Sequence, residues 1–153
     1  DCYDPLGEAD WSEDIEILIA DVSDAFWNIP LAMLERKYFV IRFRGAYYIF
    51  LRTAQGSRGA PLSWAAVAAI LARLVQSMFS TESLQTAKLQ VHVDDPILGI
   101  RGTPRQRRRH AVKFVSTFLL LGFRMTFPKA QLSRKVVWIG VEIQNPLRRG
   151  RRR

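Results

Sequence analysis

Leu89-Gln90-Val91-His92-Val93-Asp94-Asp95-Pro96-Ile97-Leu98-Gly99-Ile100 sets two adjacent carboxylates between two apolar runs. Read as a buried β-hairpin with Asp94-Asp95 at its tip, the stretch brings like charges together where solvation is reduced, so a cation is needed to hold them. A divalent metal answers that need, because two-metal phosphoryl chemistry clamps ions about 3.5–4 Å apart with carboxylates from different strands. A solvated Asp-Asp turn, which needs no metal, is the competing reading. A third carboxylate in a similar setting would decide between them.

Asp21 is the candidate. Ile15-Glu16-Ile17-Leu18-Ile19-Ala20 is short and β-branched, as a central strand ending at Asp21 should be. Only a fold that lays this strand beside the Asp94 strand joins the two, and a right-handed crossover through an intervening helix is the expected route. The alternative is that Asp21 or Asp24 caps the following turn or helix.

Outward from these strands, Pro30 opens an expected helix over Leu31–Lys37, and Tyr38–Arg44 and Tyr47–Arg52 alternate as a hairpin around Gly45-Ala46. Thr53–Ala60 is a loop, and Pro61–Phe79 is rich in helix formers. Its apolar part, Leu62 to Phe79, is interrupted by Arg73 and Gln76 and falls short of the ~20 residues of a membrane span, so it is read as a buried helix with no membrane partner. Arg105–Leu121 is a helix stopped by Gly122, and Phe123–Phe127 and Lys135–Ile143 are strands. The fold class is α+β: an antiparallel sheet with helices on one face, in the order β-α-β-β-α-β-β-α-β-β. The organisation is an acidic lead-in over 1–14, a domain over 15–143 and a basic tail over 144–153.

At 153 residues, 48% hydrophobic and 24% charged, the chain can bury a core. Its net charge of +9 is unevenly placed: residues 1–100 hold 8 Lys or Arg against 13 Asp or Glu, and residues 101–153 hold 15 against 1. Arg105-Gln106-Arg107-Arg108-Arg109 and Arg148-Arg149-Gly150-Arg151-Arg152-Arg153 are either nucleic-acid contacts or solvated segments. Cys2 alone permits no intrachain disulfide, zinc cluster or Cys-x-x-Cys pair. With an acidic start and no signal-peptide pattern, an intracellular address, cytoplasmic or nuclear, is expected.

Taken together, the motifs resemble those of the reverse transcriptases of retroviruses and long-terminal-repeat-like retroelements. Asp21-Val22-Ser23-Asp24-Ala25-Phe26-Trp27-Asn28-Ile29-Pro30-Leu31 is similar to that family's first palm motif, and Gln55-Gly56-Ser57-Arg58-Gly59-Ala60-Pro61 to its second. His92-Val93-Asp94-Asp95 resembles the Tyr-x-Asp-Asp motif. Leu121-Gly122-Phe123, Pro128-Lys129-Ala130-Gln131 and Trp138-Ile139-Gly140 resemble the later motifs and the primer grip.

The resemblance implies an RNA-directed DNA polymerase palm. Asp21, Asp94 and Asp95, with the Val22 backbone, would hold two Mg²⁺ ions, or Mn²⁺ in their place. Val22, Asp24, Ala25, Phe26, Gln55 and Gly56 would meet the dNTP, Phe26 as the ring that collides with a ribose 2′-hydroxyl. Lys129 would protonate the leaving pyrophosphate, and His92, Val93, Trp138, Ile139 and Gly140 would meet the primer. The implied partners are an RNA or DNA template with primer, a dNTP, and fingers and thumb regions of a longer polyprotein, without which primer extension is expected to be weak or nil.

A catalytically silent nucleic-acid-binding remnant of such an element is the alternative. A different two-metal enzyme would explain the aspartates but not Phe26, Gln55-Gly56 or Trp138-Ile139-Gly140. The sequence departs from the family pattern at His92, which replaces a tyrosine, at Ala54 and Ala60, which replace Pro and Ser, and at Pro96. Pro96 removes a ladder donor and is expected at the first residue of its strand.

Overall fold

A computed structural model describes residues 15–79 and 86–144. The acidic lead-in, most of the loop over 80–86, the arginine run 148–153 and all of the basic tail except residue 144 lie outside the described residues.

The expected β-branched strand forms as β1 (Glu16–Ile19) at the centre of a four-stranded antiparallel sheet. Its neighbours are β5 (Asp95–Ile100), in the register Glu16↔Ile100 to Ile19↔Ile97, and β6 (Gln131–Ser133). β4 (Ala87–His92) pairs with the far side of β5, giving the order β4-β5-β1-β6. Two helices, α1 (Ala60–Ser77) and α2 (Pro104–Leu120), pack on one face, and a hairpin of β7 (Lys135–Trp138) and β8 (Val141–Gln144) covers the other. A second hairpin, β2 (Val40–Phe43) and β3 (Ala46–Ile49), stands apart from this sheet with every residue exposed.

The pleat explains the composition of β1. Alternate side chains point to opposite faces, so Leu18 and Ala20 join Trp64, Ala68, Leu71 and Val75 of α1 and Phe114 and Phe118 of α2. Ile15, Ile17 and Ile19 point the other way, onto Val136 with Trp138 and Ile143. A strand buried on both faces reads as a continuous apolar run. Glu16 is the exception, and Arg107 of α2 meets it at 3.1 Å. Arg107 is therefore buried in an ion pair, whereas its neighbours Arg105, Arg108 and Arg109 are exposed.

By length and composition α1 does qualify as a membrane-crossing segment, which corrects the expectation that it falls short. In this fold it lies on the sheet through Ala60, Trp64, Ala68, Leu71 and Val75, a stripe at helical spacing. Gln76 ties its end to β4, donating to the Ala87 carbonyl at 3.0 Å and accepting from the Leu89 amide at 2.9 Å. α2 begins at Thr103, whose hydroxyl and Gln106 form a capping box that the sequence reading passed over. It ends as expected at Gly122, with φ +83°.

Several local expectations are corrected. Leu31–Lys37 forms no α-helix: it closes turns three residues back, Glu35 onto Ala32 at 3.0 Å and Tyr38 onto Glu35 at 2.9 Å, and its end enters a 3-10 turn over Arg36–Tyr38. Phe123–Phe127 is not a strand; only Met125 bridges to Val22, and the edge of β1 is taken instead by β6. Lys135–Ile143 is a hairpin, folded at Ile139-Gly140, where φ is +45° and +81°. The first hairpin likewise turns at Arg44-Gly45, one residue earlier than expected. Positive φ at both central residues matches the right-handed twist of the flanking strands.

Candidate active site

Strand direction brings the distant aspartates together. α1 carries the chain from β1 to β4, and β5 then returns between the two, antiparallel to both. β5 therefore begins where β1 ends, and Asp95, its first residue, lies at the same end of the sheet as Asp21. The join is explicit in the backbone: the Val22 amide donates to the Asp94 carbonyl at 2.9 Å and the Ala20 amide to the Pro96 carbonyl at 3.2 Å.

Pro96 is the second residue of its strand rather than the first, and β5 is a central strand. Its ring nitrogen returns no bond to β1, and β1 ends at Ile19 beside it. The ring itself is fully buried on the helix face with Leu98 and Ile100.

Asp21 and Asp95 line one cavity of about 390 Å³ with Pro128, Lys129, Trp138 and Ile139. Lys129 follows from a 3-10 turn over Phe127–Lys129, and its ammonium lies 3.6 Å from Asp21 Oδ2. Burial raises the Asp95 carboxyl above its ordinary range, the Asp94 and Asp21 carboxylates push it the same way, and Lys129 and His92 oppose them. Asp94 shares the turn but does not line the cavity. Among the described residues no three His, Cys, Asp or Glu side chains gather into a ready metal cage. Carboxylates without a cation between them repel, and here the Lys129 ammonium draws on Asp21. The donors are nonetheless all hard oxygens, the set that suits Mg²⁺ or Mn²⁺.

A second chain crossing holds Asp21. The Thr126 amide donates to the Asp21 carbonyl at 2.8 Å, the Ser23 amide to the Arg124 carbonyl at 2.9 Å, and the Ser23 and Thr126 hydroxyls meet at 2.6 Å. These flanking bonds close the Val22–Met125 bridge without using the Val22 carbonyl. Asp24 follows with φ +54° at the head of a 3-10 turn over Ala25–Asn28, and its side chain makes no cap bond, so the cap alternative for Asp24 fails. Ala25 is buried, and Phe26 is half-buried against the main core.

Thr53, which the sequence reading did not single out, brings the second motif to the first. Its amide donates to the Ile29 carbonyl at 2.9 Å and its hydroxyl to the Phe26 carbonyl. Gln55 and Gly56 follow in an exposed turn where Gly56 has φ +88°. This pair lies outside the cavity that Asp21 and Asp95 share.

The hairpin turn is Val93-Asp94, one residue earlier than the expected Asp94-Asp95 tip, with Asp95 paired to His92 at the start of β5, and two indoles flank it. Trp138 Nε1 donates to the Asp95 carbonyl at 3.2 Å, and the His92 ring meets Trp138 edge-on at 6.2 Å. Trp64 Nε1 donates to the Val93 carbonyl at 2.6 Å from the buried face of α1. Val93 has φ +54°, a conformation that costs a β-branched residue on the order of 1–3 kcal/mol. Trp64 was legible only as a large ring on an alanine-rich helix face; nothing local reveals its bonding partner.

An antiparallel sheet with helices on one face, a hairpin on the other and aspartates from two distant segments at one end defines the palm of a nucleic-acid polymerase. Residues 9–143 match the family model described as reverse transcriptase (RNA-dependent DNA polymerase), and the chain belongs to this family. No curated protein matches it.

Among solved structures, it is similar to the foamy viral protease-reverse transcriptase in complex with an RNA/DNA hybrid, at 19% identity and a TM-score of 0.69, over 85% of this chain and 16% of that one. The native prototype foamy virus protease-reverse transcriptase gives 18% identity and a TM-score of 0.70, over 84% and 16%. A foamy viral complex with double-stranded DNA gives 20% and 0.69, over 85% and 21%. At such identities the likeness is one of fold, and the chain spans only 16% to 21% of the length of these relatives.

Proposed function

We propose that this chain is the palm of a retroelement RNA-directed DNA polymerase, joining a dNTP to a primer 3′-hydroxyl. The observation that carries the reading is Asp21 and Asp95 lining one cavity while Asp94 is bonded through its carbonyl to Val22. Asp21, Asp94 and Asp95 are the residues that would hold two Mg²⁺ ions, with the Val22 carbonyl as a further donor. Bound there, such ions lower the pKa of the attacking hydroxyl and neutralise triphosphate charge.

The chain's own residues bind and orient. Backbone amides of Asp24 and Ala25 are suited to triphosphate oxygens, and Phe26, held by its core contacts and by Thr53, presents a ring against a ribose 2′-hydroxyl. Gln55 and Gly56 line the nucleotide side. Lys129 keeps an ammonium at the cavity wall, where it can deliver a proton to departing pyrophosphate. His92, Val93 and the Trp138-Ile139-Gly140 turn face the primer. Template and primer backbones are polyanions, and exposed Arg105, Arg108 and Arg109 on α2 offer complementary charge.

A catalytically silent nucleic-acid binder is the second reading, favoured by the absence of a three-ligand cluster among the described residues. Titration with Mn²⁺ in the presence of primer–template separates the two. A polymerase palm binds the ion tightly, and Asp94→Asn weakens it at least tenfold; a silent binder holds the nucleic acid with no tight ion at all. Extension by residues 1–153 alone is expected to be weak or absent. Robust Mg²⁺-dependent extension that Asp94→Asn abolishes would overturn that expectation.

A further inference from the structure

Four consecutive carbonyls around the aspartate pair receive donors from three parts of the fold. Val93 accepts from the Trp64 indole on α1, Asp94 from the Val22 amide, Asp95 from the Trp138 indole on β7, and Pro96 from the Ala20 amide. The turn is thus held at every residue, and it needs to be, because Val93 has a positive φ that valine seldom adopts.

Of the four donors, Trp64 is the most constrained. Its ring is 1% exposed, it meets Phe123 edge-on at 6.0 Å, and its bond is the shortest of the set at 2.6 Å. The helix that carries it is anchored to the same sheet by Gln76 at its other end. A packed helix therefore fixes one point of the turn, and backbone pairing fixes the next.

We infer that Trp64 is a positioning residue for Asp94 and Asp95: its indole N–H holds the Val93 carbonyl and so fixes the turn conformation from which both carboxylates project. The inference rests on the reading of these aspartates as metal ligands. It assigns Trp64 no contact with substrate or ion. What it supplies is a donor, which phenylalanine lacks; the smaller ring also gives up packing, and the exchange pattern separates the two effects.

The test is Trp64→Phe in the full chain, followed by backbone hydrogen exchange and Mn²⁺ titration. The Val22 amide, which donates to Asp94, is expected to exchange about tenfold faster, the scale of one lost hydrogen bond. The amide of Leu98, which pairs with Leu18 in the sheet, keeps its wild-type rate, and Mn²⁺ affinity falls by a similar factor of about ten.

Unchanged exchange at Val22 overturns the inference. So does an equal acceleration at Val22 and Leu98, which marks lost packing instead. If the wild-type chain binds no Mn²⁺, the polymerase reading fails while the exchange pattern still decides the role of Trp64. If W64F does not fold, the wild-type chain carries the test. Its Trp64 indole proton must then exchange as slowly as the Val22 amide, and exchange as fast as that of the more exposed Trp27 overturns the assignment.

Discussion

Replacing Asp21 with Asn removes a charge at the centre of the site while keeping the side chain's size. In the metal-free protein two effects oppose each other. The Lys129 pair is lost, but at 3.6 Å, with Lys129 74% exposed and Asp21 18% exposed, it is solvent-screened and worth about 0.2–1 kcal/mol. Against that, the Asp21 carboxylate is one of the charges that push Asp95 upward, and removing it relieves the repulsion. The net change in unfolding free energy is expected to lie within about 0.5 kcal/mol of zero.

Metal reverses the balance. An ion at about 100 times its dissociation constant that binds only the folded chain stabilises it by about 2.7 kcal/mol. For a chain of this size that corresponds to roughly 5–10 °C in Tm. Thermal unfolding followed by circular dichroism at pH 7, with and without Mn²⁺, should show this rise in the wild type and little of it in D21N. A full Mn²⁺-dependent rise in D21N would refute the reasoning. So would a loss of more than about 2 kcal/mol in metal-free D21N, since an exposed pair does not contribute that much.

Asp95→Asn should stabilise the metal-free protein at pH 7. A carboxyl raised in the folded state contributes stability below its ordinary value of 3.8 that is lost as pH rises through the folded value. The variant's advantage should therefore disappear in unfolding curves at pH 3, and a destabilised variant at pH 7 would contradict the cause assigned to the shift. Phe114→Ala empties a fully buried position where both helices meet the sheet. Urea unfolding should show a loss of about 3–5 kcal/mol, and a loss under 1 kcal/mol would mean that this face is not close-packed.

Much of the site was legible because its signals are local. The β-branched run before Asp21, the apolar flanks of Asp94-Asp95 and the glycine after Leu121 each act over a few residues, and each marks the element or break it implied. The misread elements are those that distant partners decide. Leu31–Lys37 has helix-compatible composition, but its start is tied to the distant Leu51 and Arg52, and the residues after it close only three-residue turns. Gln131-Leu132-Ser133 has little strand character of its own and becomes β6 because the open edge of β1 lies next to it. Arg107 reads as one of a basic run, and only Glu16 on another element shows why it is inside.

By itself the sequence determined the fold class and the family resemblance and singled out the three aspartates as candidates, because apolar periodicity and motif order are properties of the chain. The tertiary structure decided that β5 runs antiparallel beside β1, which sets Asp95 and Asp21 in one cavity. It also decided that Trp64 and Trp138 hold the turn between them. Hydrogen bonds to backbone carbonyls leave no trace in residue identity, since every residue offers the same acceptor, so contacts of this kind appear only when the chain is folded.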